Sequence, residues 1–231
     1  MGEAVKQWER RALSKGDVWR EMLHPYFLSE DRETTEKVVG ELKRVSSILE
    51  NRFGDNFIGM SLAGSRAKGY ARGTGGRRGS DFDVLVFFKE IGRDGVEEFN
   101  EIMLKNLESK VLMELEIHGF ELSKTIRDLR VGRVNEKEMA AYFMGEPVSG
   151  EKKLVEARWE IVREISKKPE AKEIWSKVVS WHVESEVMLP EKPEKLGLSK
   201  EEIEAINQER KKRFSLPSLD VVREQLKKNE L

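Results

Sequence analysis

The segment that most constrains the fold is residues 81–88, Asp-Phe-Asp-Val-Leu-Val-Phe-Phe. Beyond its two acids it is apolar at every position. Read as a strand, it presents apolar side chains on both alternating faces, so it needs cover on both sides. A second apolar run, FIGMSLAG at residues 57–64, predicts a neighbouring strand. A glycine-containing loop separates the two, ending at Ser80.

The flanking periodicity is mostly helical. Val38, Val39, Leu42, Val45, Ile48 and Leu49 recur at helical spacing, with Gly54 just past the end. Val96, Phe99, Met103, Leu107, Val111 and Leu115 predict one long amphipathic helix over 95–117. FELSKTI, 120–126, is expected as a third strand, 136–144 as a helix and GEPVSG, 145–150, as a turn. Helices are expected over 151–167 and 170–188, the second with Pro169 near its first position, and a linker over 190–198. Ser199 to Glu202 is a capping box that opens a charged helix. The last fifteen residues read as a short helix or a loose tail, and residues 1–28 as one or two short helices. The expected class is mixed α/β (α+β): a small mixed sheet of three to five strands with the acids at one end, flanked by helices. The division expected is a core with N-terminal helices over 1–150 and a C-terminal helical region over 151–231.

Composition narrows the function. The chain has 231 residues, 38 % of them hydrophobic, enough for a sizeable core. No apolar run approaches the ~20 residues of a membrane span, and the N-terminal residues lack a signal-peptide pattern, so no membrane partner and a cytoplasmic location are expected. With no cysteine, disulfides and cysteine-based zinc sites are excluded. His24, His118 and His182 are far apart in sequence, so a metal would be held mainly by carboxylates, which favours Mg²⁺ or Mn²⁺. A net charge of −1 argues against a bulk nucleic-acid binder. Charged residues reach 37 %, with few Gln, a balance expected of a thermophile protein.

The chemistry concentrates in residues 62–88. Asp81 and Asp83 are two apart on a strand and so share a face, opposite Phe82 and Val84. Two adjacent carboxylates are costly unless a cation lies between them, and oxygen ligands suit Mg²⁺. Such an ion would bridge to the phosphates of a nucleoside triphosphate. Gly64 and Ser65 end the preceding strand, where backbone N–H groups and a hydroxyl cradle phosphate oxygens. Arg66, Lys68, Arg72, Arg77 and Arg78 lie between Gly64 and Ser80 without an intervening acid, a local excess that suits a polyphosphate. Arg127, Arg130 and Arg133 read as a solvated stripe. His182, Trp159, Trp175 and Trp181 read as packing residues on helices.

GSRAKG followed by SDFDVLV resembles the signature of polymerase-beta-like nucleotidyltransferases, in particular small prokaryotic minimal and aminoglycoside nucleotidyltransferases. The resemblance is specific over 57–88 and looser to about 150. It implies that Gly64 and Ser65, with Arg66, Lys68 and Ser80 nearby, bind the triphosphate, and that Asp81 and Asp83 bind Mg²⁺. It also implies transfer of a nucleoside monophosphate to an acceptor hydroxyl, on a small molecule, a protein or an RNA end. The loop from Gly64 to Asp81 is longer than the family's usual spacing. Active members carry a third carboxylate on a later strand; Ser123 stands where the 120–126 strand would place it, leaving Glu121 or Asp128 as candidates. Two alternatives stand beside this reading: an antitoxin-like interaction protein, whose helices over 151–188 and charged tail would dock a helical toxin, and a nucleotide sensor without transfer, which the unclear third acid favours.

Overall fold

The computed structural model describes residues 32–64, 82–188 and 199–229. Helix α1 (Arg32–Phe53) leads through a short 3₁₀ turn into β1 (Phe57–Ala63). Then come β2 (Phe82–Phe88), α2 (Arg93–Asn106), the short α3 (Ser109–Leu112) and β3 (Leu115–Glu121). They are followed by α4 (Leu122–Arg130), α5 (Glu136–Ala141), β4 (Glu146–Ser149), α6 (Glu151–Ser166) and α7 (Ala171–His182). A π-helical turn, Val183–Val187, extends α7, and α8 (Lys200–Phe214) and α9 (Leu219–Asn229) complete the described chain. The N-terminal helices expected over 1–28, the loop 65–80 with Ser65, Arg66, Lys68 and Ser80, the acid Asp81 and the linker 190–198 lie outside the described residues.

The fold is mixed α/β, with four strands among the described residues in the order β3-β2-β1-β4. β1 runs antiparallel to β2 and β4, while β2 and β3 are parallel. Alternation along β2 sorts its side chains between two cores. Phe82, Val84, Val86 and Phe88 join Val38, Leu42, Val45 and Leu49 of α1 and Phe99 and Met103 of α2. Leu85 and Phe87 join Leu122 and Ile126 of α4, Leu154 and Ile161 of α6, and Trp175 and Val178 of α7. The sheet therefore lies between two helical layers, as the doubly apolar 81–88 run requires. Full burial of each such side chain contributes roughly 1.5–3 kcal/mol. The second core crosses residue 150, because α6 and α7 close the sheet's other face.

Three local expectations are corrected. The helix expected over 95–117 stops at Asn106, and Leu107 and Glu108 adopt extended backbone. Leu107 and Val111 keep their places in the core through the short α3, so apolar spacing continues across a break in the helix. Leu115, the last residue of that apparent stripe, instead starts β3.

The third strand is consequently 115–121 and not 120–126. Residues 122–130 are helical, and their buried members, Leu122, Thr125, Ile126 and Leu129, follow helical spacing.

Residues 146–149, expected within a turn, form edge strand β4 against β1. Gly150 permits this pairing: a Cβ there would collide with the Ile58 backbone. Pro147 is tolerated because β4 is at the sheet edge.

Candidate metal and nucleotide site

Three strand positions converge near the start of β2. Asp83 is paired in register with Ala63 on one side and with Glu116 on the other. The parallel β2–β3 register places Asp83 and Glu116 side by side on one face. Two residues along β3, His118 alternates onto that same face, opposite Leu85. One ligand atom from each of Asp83, Glu116 and His118 lies within 4.8 Å of the others. His118 Nε2 and a Glu116 carboxylate oxygen are 3.4 Å apart. Asp83 is half-buried, whereas Glu116 and His118 are exposed on the edge strand.

Gly64 closes the other side of Asp83. Its φ is +64°, and a Cβ built on it would overlap the Asp83 carboxylate. The left-handed backbone and the lack of a side chain together allow the end of β1 to lie against that acid. Hence the Gly64 and Asp83 positions singled out in the sequence are neighbours in space, joined across the β1–β2 ladder.

A cleft of about 810 Å³ opens beside this cluster, lined by Gly64, Asp83, His118, Lys124, Asn135 and Lys137 among others. Its size falls within the ~300–1,000 Å³ usual for small-molecule sites. Burial opposes the charge of Lys124, but hydrogen bonds and ion pairs to Asp128 and Glu138 hold its pKa above the ordinary value. Its lining mixes the carboxylates of Asp83, Glu121 and Glu138 and the His118 imidazole with the ammonium groups of Lys124 and Lys137, and Lys124 pairs with Glu138 at 3.2 Å.

The two other acids considered from sequence are placed differently. Glu121 ends β3 in register with Phe88, so alternation puts it opposite the face of Glu116 and His118. Its carboxylate accepts the Ile91 N–H at 3.3 Å. Asp128 sits on α4 and pairs with Lys124 at 3.2 Å and Arg133 at 3.9 Å. Neither belongs to the three-residue cluster.

Sequence reasoning missed Glu116 and His118 because the long helix was carried through 115–117. The available signal was Leu-Glu-Ile-His, whose acid and histidine are two apart and share one strand face.

Of the residues read as packing, Trp175 and His182 are buried, and Trp175 Nε1–H donates to the Pro217 carbonyl at 2.8 Å. Trp181 is instead 39 % exposed, with Lys137 Nζ 5.7 Å from its ring centroid. In the arginine stripe, Arg130 pairs with Glu164 at 2.9 Å.

Among the described residues, no helix is long and apolar enough to cross a membrane. No family model, curated protein or solved structure matches the chain.

Proposed function

We propose that the protein is a metal-dependent nucleotidyltransferase acting in the cytoplasm, with Asp83 and Glu116 as paired carboxylates of its catalytic centre and Asp81 as a further ligand. The observation that carries this reading is the in-register placement of Asp83 and Glu116 on adjacent parallel strands, with Gly64 against Asp83. Glu116 lies between Leu115 and Ile117 on a strand after the DFD segment, so it supplies the third carboxylate that the family resemblance calls for. Glu121 and Asp128 are no longer needed for that role.

The donor set fits a divalent cation. Two carboxylates from neighbouring strands repel one another unless a positive charge lies between them, and hard oxygen donors suit Mg²⁺ or Mn²⁺. When bound, such an ion neutralises phosphate charge and lowers the pKa of the attacking hydroxyl. Asp83 is oriented for this by the Gly64 backbone, which limits where its carboxylate can lie. Gly64, with Ser65, binds triphosphate oxygens at the end of β1. Glu116 accepts the proton of the acceptor hydroxyl. The hydroxyl oxygen forms a bond to the α-phosphorus, the α–β phosphoanhydride bond breaks, and pyrophosphate leaves with the bonding electron pair. The protein contributes alignment and charge stabilisation, with no covalent intermediate.

The acceptor is a hydroxyl of a small molecule, a protein or an RNA end. Incubation with each labelled nucleoside triphosphate, a divalent cation and pooled acceptors tests the reading. Pyrophosphate release is expected from the parent and its loss from Asp83→Asn. Release undiminished in Asp83→Asn would remove Asp83 from the mechanism.

A further inference from the structure

We infer that His118 is a further protein ligand of the metal centre, beside its carboxylates, and gives it a preference for a first-row transition cation over Mg²⁺. This rests on the same centre as the nucleotidyltransferase reading, but not on any nucleotide chemistry.

Glu116 and His118 are two apart on a strand, so both point to the face that carries Asp83. Their ligand atoms and that of Asp83 all fall within 4.8 Å of one another. With metal–ligand bonds of ~2.0–2.2 Å, donors on one ion stand roughly 3–4 Å apart, so small side-chain rotations suffice. His118 and Glu116 are already 3.4 Å apart. Both side chains are accessible, at 44 % and 59 % exposure, and can rotate without disturbing the core. Asp83 is the fixed point, held between Ala63, Gly64 and Glu116.

The β2–β3 register sets Asp83 beside Glu116, and the His118 imidazole turns toward that pair. Two carboxylates and one imidazole that converge from adjacent strands form a mixed oxygen–nitrogen set. Mg²⁺ favours oxygen donors and near-ideal octahedral geometry. Imidazole is a better donor to ions such as Fe²⁺, Ni²⁺ or Zn²⁺, and of the ions that suit carboxylates Mn²⁺ accepts a nitrogen donor more readily than Mg²⁺. A centre built from carboxylates alone would discriminate less between these classes. His118 is thus the residue that sets metal specificity.

The test uses the full chain without nucleotide. Mn²⁺ and Mg²⁺ affinities are measured for the parent, His118→Ala and Asp83→Asn, Mg²⁺ by competition against Mn²⁺. Bound Mn²⁺ is also examined by pulsed electron paramagnetic resonance for coupling to a ligand ¹⁴N. Loss of an outer-shell partner of a metal ligand already costs about 10–100-fold in affinity. Removal of His118 should therefore weaken Mn²⁺ binding by at least roughly tenfold, with Mg²⁺ affinity changing much less. The parent should show imidazole ¹⁴N coupling, and His118→Ala should lose it. Added imidazole should restore part of the variant's Mn²⁺ affinity. Asp83→Asn should weaken both ions.

Unchanged Mn²⁺ affinity in His118→Ala, equal losses for both ions, absence of ¹⁴N coupling in the parent, or no metal binding at all would each overturn the inference. His118-dependent Mn²⁺ binding without pyrophosphate release from any triphosphate would count against the nucleotidyltransferase reading alone. Pyrophosphate release with metal affinities indifferent to His118 would count against the metal assignment alone.

Discussion

Gly64 and Asp83 occupy complementary space: a Cβ on Gly64 would overlap the Asp83 carboxylate, and the Gly64 φ of +64° already disfavours any side chain. Gly64 and Asp83 are thereby one physical unit, although a long stretch of sequence separates them.

Gly64→Ala should therefore damage the site more than the fold. The strained φ should cost about 1–2 kcal/mol, and the Asp83 carboxylate must move to admit the methyl group. Divalent-metal affinity should fall at least about tenfold, by analogy with the loss of partners that orient metal ligands. Titration calorimetry beside thermal melts separates the two effects; unchanged metal affinity would show that the contact does not position Asp83.

Glu116→Gln should lower turnover by roughly 10²–10⁴-fold, as expected for loss of a proton acceptor, and should also weaken metal-dependent triphosphate binding, because the same carboxylate belongs to the metal centre. Glu121→Gln and Asp128→Asn should retain most of the parent's turnover, since both lie outside the Asp83 cluster. A reversed ranking in steady-state pyrophosphate assays would move the third acid away from β3.

Ile161→Ala should destabilise the whole described core. Ile161 on α6 is fully buried in the cluster that includes Ile58, Leu85 and Phe87 of the sheet. A cost of about 2–5 kcal/mol is expected for such a truncation. Urea unfolding followed both by circular dichroism and by tryptophan fluorescence should show one coincident, shifted transition. Separate transitions would mean that the helices beyond 150 unfold independently.

Glu164 supplies a pH-dependent contribution to stability. Hydrogen bonds from Arg130, and then from Lys167, outweigh burial and lower its pKa to about 2. The folded value lies below the unfolded one, so its contribution is present above the ordinary carboxylate range and is lost as pH falls toward 2. Glu164→Gln should cost about 1–3 kcal/mol at neutral pH and should flatten the acid limb of the stability profile. Equal acid sensitivity of parent and variant in pH-dependent denaturation would refute this assignment.

Sequence legibility followed the physics of each segment. The 81–88 run was readable because burial on both faces leaves no polar alternation to confuse it. Gly64 and Asp83 were readable because their chemistry is local to two adjoining strand ends. β3 was not, since Leu115 falls on the same helical spacing as Val111 and Leu107, and a single exposed edge strand carries few apolar residues. Shifting that strand by five residues hid Glu116 and His118 and promoted Glu121. β4 was hidden for a related reason: four residues between two glycines read as a turn until the β1 edge is available to pair with them.

The most direct test of the central claim is calorimetric titration of non-hydrolysable nucleoside triphosphates with divalent metal into the parent and into Asp83→Asn/Glu116→Gln. It requires no knowledge of the acceptor. Metal-dependent binding of at least one triphosphate to the parent is expected, with its loss in the double variant. Equal binding by both proteins, or none by the parent with any of the four nucleotides, would contradict it.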